Sequence, residues 1–274
     1  MGRAAGTRLI SDMGVSAQWL ALREPADHAA RDAGLLERAE AWLKPGAVVM
    51  DLGSGTGSTA RAFGEAHWSW SFVDEDKDLL EKALSRHPDA EAHAKDIDQI
   101  DALPFGKASL VTASALLDLM PYAWVSALAA VLKKSALPLY AALNYNGIMR
   151  WTPALDGDEA VRAAFNAHQT TDKGLGPAMG PQSAAATQTV FQDHGYAVHL
   201  ADSPWRLGPE HATLQAQLIE GIASAAHEMG CAAATAWAKA RLAVLENTTA
   251  VIGHTDLFAH PVNPSRSETL HATA

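Results

Sequence analysis

Apolar and polar positions alternate between two periods through the first half of the chain. "AVVMDL" (47–52) is an apolar run of strand length interrupted only by Asp51, as in a strand buried on both faces of a parallel sheet. "WSWSFVD" (68–74), the opening of "SLVTASALLDLM" (109–120) and "LPLYAALNY" (137–145) repeat that pattern. Between them, "STARAFGEA", "KDLLEKALSRH" and "YAWVSALAAVLKK" carry apolar residues at helical spacing. Ahead of the first strand, "REPADHAARDAGLLERAEAWL" reads as one helix with Pro25 in its first turn. Strands alternating with helices predict an α/β fold with a mostly parallel, doubly wound sheet.

The alternation breaks after residue 145. Residues 146–181 hold glycines, prolines and dense polar groups, and are expected to form an inserted lid. A helix near "SAAATQTVFQDHG" and a strand at "YAVHLAD" resume the pattern. Residues 209–247 read as a helical region of two extra helices, and "TAVIGHTDLFAHP" as the last strand. The expected organisation is an N-terminal helical cap over 1–44 and a nucleoside-binding domain over 45–274, with a frayed tail from 262.

Composition narrows the partners. The 274 residues carry a formal net charge of -10 with no basic run, which disfavours nucleic acid and favours a cationic or neutral small substrate. The single cysteine, Cys231, excludes an intrachain disulfide and reads as a small buried side chain. No apolar stretch has the length of a signal core or a membrane span, so a cytoplasmic protein with no membrane partner is expected. Oligomeric state is not legible here.

The segment "VVMDLGSGTGSTARAF" carries the sharpest chemistry. Its glycines, Gly53, Gly55 and Gly57, are spaced G-x-G-x-G, and Ser58 stands where a dinucleotide fingerprint needs its third glycine. No lysine follows, as a phosphate-binding P-loop requires. Asp51, just before the loop, would repel a pyrophosphate. A cationic ligand without phosphate meets no such penalty, and S-adenosylmethionine is one. Asp74, at the end of the second strand, is placed to accept both ribose hydroxyls. Asp96 and the backbone N–H of Ile97, near the expected end of the third strand, are placed to read an adenine edge. Ser54, Glu75 and Ser114 complete this candidate cofactor set.

With these motifs the chain resembles the class I S-adenosylmethionine-dependent methyltransferases over residues 45–145. "VVMDLGSGTG", "FVDEDKDLL", "KDIDQIDALPF" and "ASLVTASALLDLM" are similar to the family's first four motifs. The resemblance implies a Rossmann-like sheet of seven strands whose last strand is antiparallel. It implies S-adenosylmethionine as cofactor and S-adenosylhomocysteine as product, with no metal required. It also implies an N-terminal helix folded over the cofactor, from which Arg23 would hold the methionine carboxylate.

Methyl transfer asks the protein to position a nucleophile and, where needed, accept its proton. His168, Asp172 and Tyr145 are the candidate catalytic residues, the first two in "AHQTTDKGLGPAMGP" and the third at the end of the fifth strand beside Asn144. Asp118 reads as a site residue past the fourth strand or as a helix cap. Trp151 and Trp205 read as an aromatic wall or as core. The expected activity is methylation of oxygen or nitrogen on a small polar molecule. The alternatives are a protein methyltransferase and a cofactor-binding module without transfer activity.

Overall fold

The computed structural model describes residues 16–64 and 67–262. The readings of the extreme N-terminus and of the tail beyond residue 262 concern residues outside that range. In chain order the sheet strands are β1 (Val48–Leu52), β2 (Ser69–Asp74), β3 (Glu91–Ala94), β4 (Leu110–Ser114), β5 (Leu139–Thr152), β6 (Tyr196–Asp202), β7 (Trp205–Leu207) and β8 (Thr249–Pro261). Their order in space is β3-β2-β1-β4-β5-β8-β6, with β7 on the flank of β8. The first five pair in parallel, and β8 runs antiparallel between β5 and β6. The doubly wound sheet with an antiparallel last strand is therefore present, and short β7 brings the total to eight strands.

Helices α1 (Ala17–Ala30), α2 (Ala33–Trp42), α3 (Ser58–Ala62), α4 (Lys77–Arg86) and α5 (Tyr122–Lys134) belong to the first half. Then follow α6 (Asp158–Gln169), α7 (Ser183–Asp193), α8 (Ala212–Glu228) and α9 (Ala234–Ala243). Leu128, Leu132 and Trp124 of α5 and Phe191 of α7 pack against Met50, Leu52, Val111 and Leu139 on one face of the sheet. Leu35 and Ala39 of α2, Ala60 of α3 and Leu80 of α4 cover Val49, Phe72 and Tyr140 on the other. The period-2 alternation of these strands sends successive side chains to opposite faces.

The N-terminal helix differs from the sequence reading. It starts earlier, at Ala17, where Ser16 caps it by accepting from Trp19 N at 3.1 Å. Pro25 lies in its interior and not in its first turn. The helix then ends at Arg31, whose ψ of 137° leaves the helical region, and Asp32 caps α2 by accepting from Leu35 N at 2.8 Å. One apolar pattern is thus cut into two helices by an aspartate able to serve as N-cap.

Beyond residue 145 the chain is more regular than its polar composition suggests. Strand β5 continues to Thr152, with register breaks between Ala141 and Asn144 and between Tyr145 and Met149. Its outer half pairs with the first residues of β8, which also pair with β7. This ribbon rises past the carboxyl end of the parallel strands. Helices α6, α8 and α9 pack on it around Met149, Trp151, Val161, Ile219, Ile222 and Trp237. The result is a cap with its own apolar core. Fully buried Arg241 closes it by pairing with Asp158, donating to Pro153 O at 2.7 Å and lying over the Trp151 ring.

Candidate functional site

The glycine loop forms where β1 ends. Gly53, Gly55 and Gly57 have φ of 63°, 52° and 78°, a region that residues with a Cβ enter only at a cost. Space is short as well. A Cβ on Gly55 would stand 2.9 Å from Leu20 Cδ1, so α1 lies directly over the loop. Asp74, at the end of neighbouring β2, accepts from Gly55 N at 2.8 Å and from Asp76 N at 3.0 Å. Burial pushes its carboxyl pKa up against these two donors. At the next strand end, Asp96 accepts from Asp98 N at 2.9 Å and stays exposed, while Ile97 O accepts from Trp124 Nε1 at 2.9 Å. Glu75 is exposed.

Asp51 lies under the loop, almost wholly buried. It accepts from Thr112 Oγ1 at 2.7 Å, and its Oδ2 has no partner among the described residues. Burial raises its pKa to about 7, opposed by the Thr112 hydrogen bond and the charge of Arg31. Ser114, ending β4, lies 3.0 Å from Thr59 Oγ1 and accepts from Arg31 Nη2 at 3.0 Å. Arg31 is buried, and its Nε and Nη1 are without partners among the described residues, as is Ser54 Oγ. These free polar atoms and the loop's missing Cβ atoms ring the end of β1. They fit a ligand with a carboxylate, an ammonium and hydroxyl groups.

Arg23 is engaged differently from the role expected of it. Its guanidinium donates to both oxygens of Asp27, at 2.8 and 3.1 Å, and lies 4.9 Å from the Trp205 ring centroid. Asp27 also accepts from Trp205 Nε1 at 2.9 Å, so α1 is clamped to β7. On its other side Glu24 pairs with Arg61, which donates to Thr56 O at 2.7 Å in the glycine loop.

A second polar group sits across β4, β5 and β8. Two non-glycine residues have left-handed backbone there: Ala115 (φ 51°) just past β4 and Leu143 (φ 59°) in β5. Such conformations cost on the order of 1–3 kcal/mol each and persist where surrounding contacts over-determine them. Here Leu143 N donates to buried Asp256 at 2.7 Å, which also accepts from Asp32 N and from Ser203 Oγ. The bulge turns Tyr145 into register with His254 on β8, their ring centroids 6.3 Å apart. His254 also lies 5.2 Å from the Trp205 ring. Asp118 is buried and hydrogen-bonded to the Tyr145 backbone. The segment that carries it passes over the glycine loop, with Leu116 Cδ1 3.4 Å from a Cβ position at Gly53. Burial raises the Asp118 pKa to about 6 against the charge of Arg23, and lowers that of His254 to about 3.

The structure thus brings Tyr145 together with Asp118, His254, Arg23 and Trp205. His168 and Asp172 hold other contacts. His168 Nε2 is 3.1 Å from Glu228 and its Nδ1 3.2 Å from Lys173 Nζ. Asp172 accepts from Gly174 N and Gly176 N at 2.7 and 2.9 Å, closing a turn of the cap. Sequence reasoning passed over Arg31, His254 and Asp256. The signal for the last two was a pair of polar residues, two apart, inside an otherwise apolar strand. Among the described residues no cluster of three histidine, cysteine or acidic side chains has metal-binding geometry, and no helix is long and apolar enough to cross a membrane.

No family model matches the chain, and no curated protein matches it. Solved structures do. A cyclopropane-fatty-acyl-phospholipid synthase-like protein from Lactobacillus casei aligns at TM-score 0.56 and 14% identity, over 92% of this chain and 97% of its own. A mycolic acid cyclopropane synthase, solved with S-adenosylhomocysteine and CTAB, aligns at 0.54 and 12% identity over the same shares. A structure from Bacillus halodurans described as a candidate methyltransferase aligns at 0.51 and 18% identity, over 84% of this chain and 98% of its own. With strand order β3-β2-β1-β4-β5-β8-β6 and antiparallel β8, these likenesses show that the chain has the fold of the class I S-adenosylmethionine-dependent methyltransferases.

Proposed function

We propose that the protein is an S-adenosylmethionine-dependent methyltransferase acting on oxygen or nitrogen of a small polar molecule. The observation that carries this reading is the glycine loop with Asp74 bound to Gly55 N and, around it, Asp51, Ser54 and Arg31 atoms that have no partner among the described residues. The bound cofactor supplies a methyl group already activated by a sulfonium. The chain's own part is to bind, orient and exclude water. Asp74 accepts the ribose hydroxyls, and Asp96 with Ile97 N–H meets the adenine. Arg31 takes the methionine carboxylate in place of Arg23, whose Nε and Nη2 are held by Asp27. Helix α1 covers the site, and the cap over β5 and β8 forms the substrate wall. His168 and Asp172 shape that wall, because both His168 ring nitrogens and Asp172 Oδ1 are engaged within it. Tyr145 faces the acceptor. The enclosing cap supports a small acceptor over a protein, and the acidic surface supports a cytoplasmic enzyme without a nucleic-acid partner.

Titration calorimetry with S-adenosylhomocysteine and NAD tests this reading. One-to-one binding of S-adenosylhomocysteine is expected. Asp74→Ala and Arg31→Ala should each weaken it by about 1–3 kcal/mol, the cost of a lost buried polar partner. Preference for NAD would sink the reading.

A further inference from the structure

The group around Asp118 holds one carboxylate more than its neighbours neutralise. Arg23 is the cation that faces it, and both carboxylate oxygens of Asp27 already bind Arg23. His254, on the facing strand, is buried with Nδ1 free of any partner among the described residues. Its low pKa keeps it neutral, so it adds no charge. Tyr145 donates its hydroxyl to Asn166 Oδ1 at 2.8 Å, away from Asp118. Asp118 Oδ1 is buried and has no hydrogen-bond partner among the described residues, and the same holds for Asn144 Oδ1 on neighbouring β5. Two buried oxygen acceptors on adjacent elements thus lack donors among the described residues, one of them on a carboxylate. The rings at hand are Tyr145, Phe165 and Trp205, which pack with one another or with His254. A buried polar atom without a partner is destabilising, because it has given up its bonds to water and gained none in return. A ligand that brings N–H donors and a positive charge relieves that cost, and aromatic faces favour such a cation. A carboxylate or phosphate ligand would meet Asp118 as a like charge.

We propose that the buried cluster of Asp118, Asn144, Tyr145, His254 and Trp205 binds the ammonium group of a small primary or secondary amine, with Asp118 as its counter-ion and hydrogen-bond acceptor. This rests on the proposed methyltransferase reading only in taking the bound amine as the methyl acceptor.

Three probes of one skeleton test it: benzylammonium, benzyl alcohol and benzoate, titrated against the full chain with and without S-adenosylhomocysteine by ligand-observed NMR. Benzylammonium should bind at least about tenfold more tightly than the other two, as expected for a desolvated charge pair. Asp118→Asn should bring the three affinities to within about threefold of one another while S-adenosylhomocysteine binding stays at the parent level. If the Asn variant does not fold, as judged by circular dichroism, Asp118→Ser takes its place. Equal affinities in the parent, preference for benzoate, absence of binding by all three, or an ammonium preference that survives the loss of Asp118 would overturn the proposal. Failure of the cofactor reading looks different: the ammonium preference would persist while S-adenosylhomocysteine does not bind at all.

Discussion

Asp51 shows how burial turns one carboxyl into a pH-dependent contribution. Its pKa is about 7 in the folded chain, raised above the ordinary carboxyl value because burial outweighs the Thr112 hydrogen bond and the Arg31 charge. Between about pH 4 and pH 7 the folded state therefore holds a proton that the unfolded state has released. Stability falls as pH rises through that window, at up to about 1.4 kcal/mol per pH unit. Asp118 and Asp256, also raised by burial, act with the same sign. Asp51→Asn keeps an acceptor for Thr112 and removes the titration. Its midpoint of thermal unfolding should vary less between pH 4 and pH 7 than that of the parent; parallel curves would show that Asp51 is not held protonated by the fold.

Among the elements, α1 connects most of the site. It reaches the glycine loop through Leu20 and through the Glu24–Arg61 pair, β7 through Asp27, and the end of β4 through the guanidinium of Arg31. Pro25 in its interior has no N–H, so the helix lacks one backbone bond and depends on these tertiary anchors. If α1 covers a bound cofactor, its amides should exchange more slowly with S-adenosylhomocysteine than without it, while those of α5 on the opposite face change little. Glu24→Gln, which weakens the tie to Arg61, should speed exchange of α1 in the free protein. Equal exchange with and without ligand would place α1 outside the binding event.

At the scale of the whole molecule, the sheet and the cap are joined by β5 and β8, which run through both. Removing the carboxylate of Asp158 would leave the buried Arg241 guanidinium without its counter-ion. Asp158→Ala should therefore destabilise the protein by about 3–5 kcal/mol, read by chemical denaturation. A change below ~1 kcal/mol would mean that Pro153 O and the Trp151 ring suffice for Arg241. The pairing also sets a pH direction. Burial alone would raise the Asp158 pKa, but the Arg241, Leu155 and Trp237 hydrogen bonds outweigh it and lower the value. The stability it contributes is present above the ordinary carboxyl pKa and is lost as pH falls through the lowered one.

The alternation of buried strands and amphipathic helices, the glycine loop with Asp51, and the ordered acids Asp74 and Asp96 were all legible from residue order, because each is a local signal. Period, spacing and the position of a charge at a strand end need no knowledge of what packs where. The outer half of β5 was not legible: "NGIMRWT" carries a glycine and an arginine, and it is a strand only because β8 returns to pair with it. The break after α1 was present as Asp32, but the apolar pattern on both sides hid it. His254, Asp256 and Arg31 gained their standing only when β8 and α1 came against β4 and β5. Fold class and the place of the glycine loop were thus determined by the sequence alone, since they follow from contacts near in the chain. Which charges are spent on each other and which remain free at Asp118 and Arg31 was decided only by tertiary structure. Neutralisation of a buried charge depends on what lies within a few ångströms, and here those partners come from elements distant in the chain, Ser114 for Arg31 and Arg23 for Asp118.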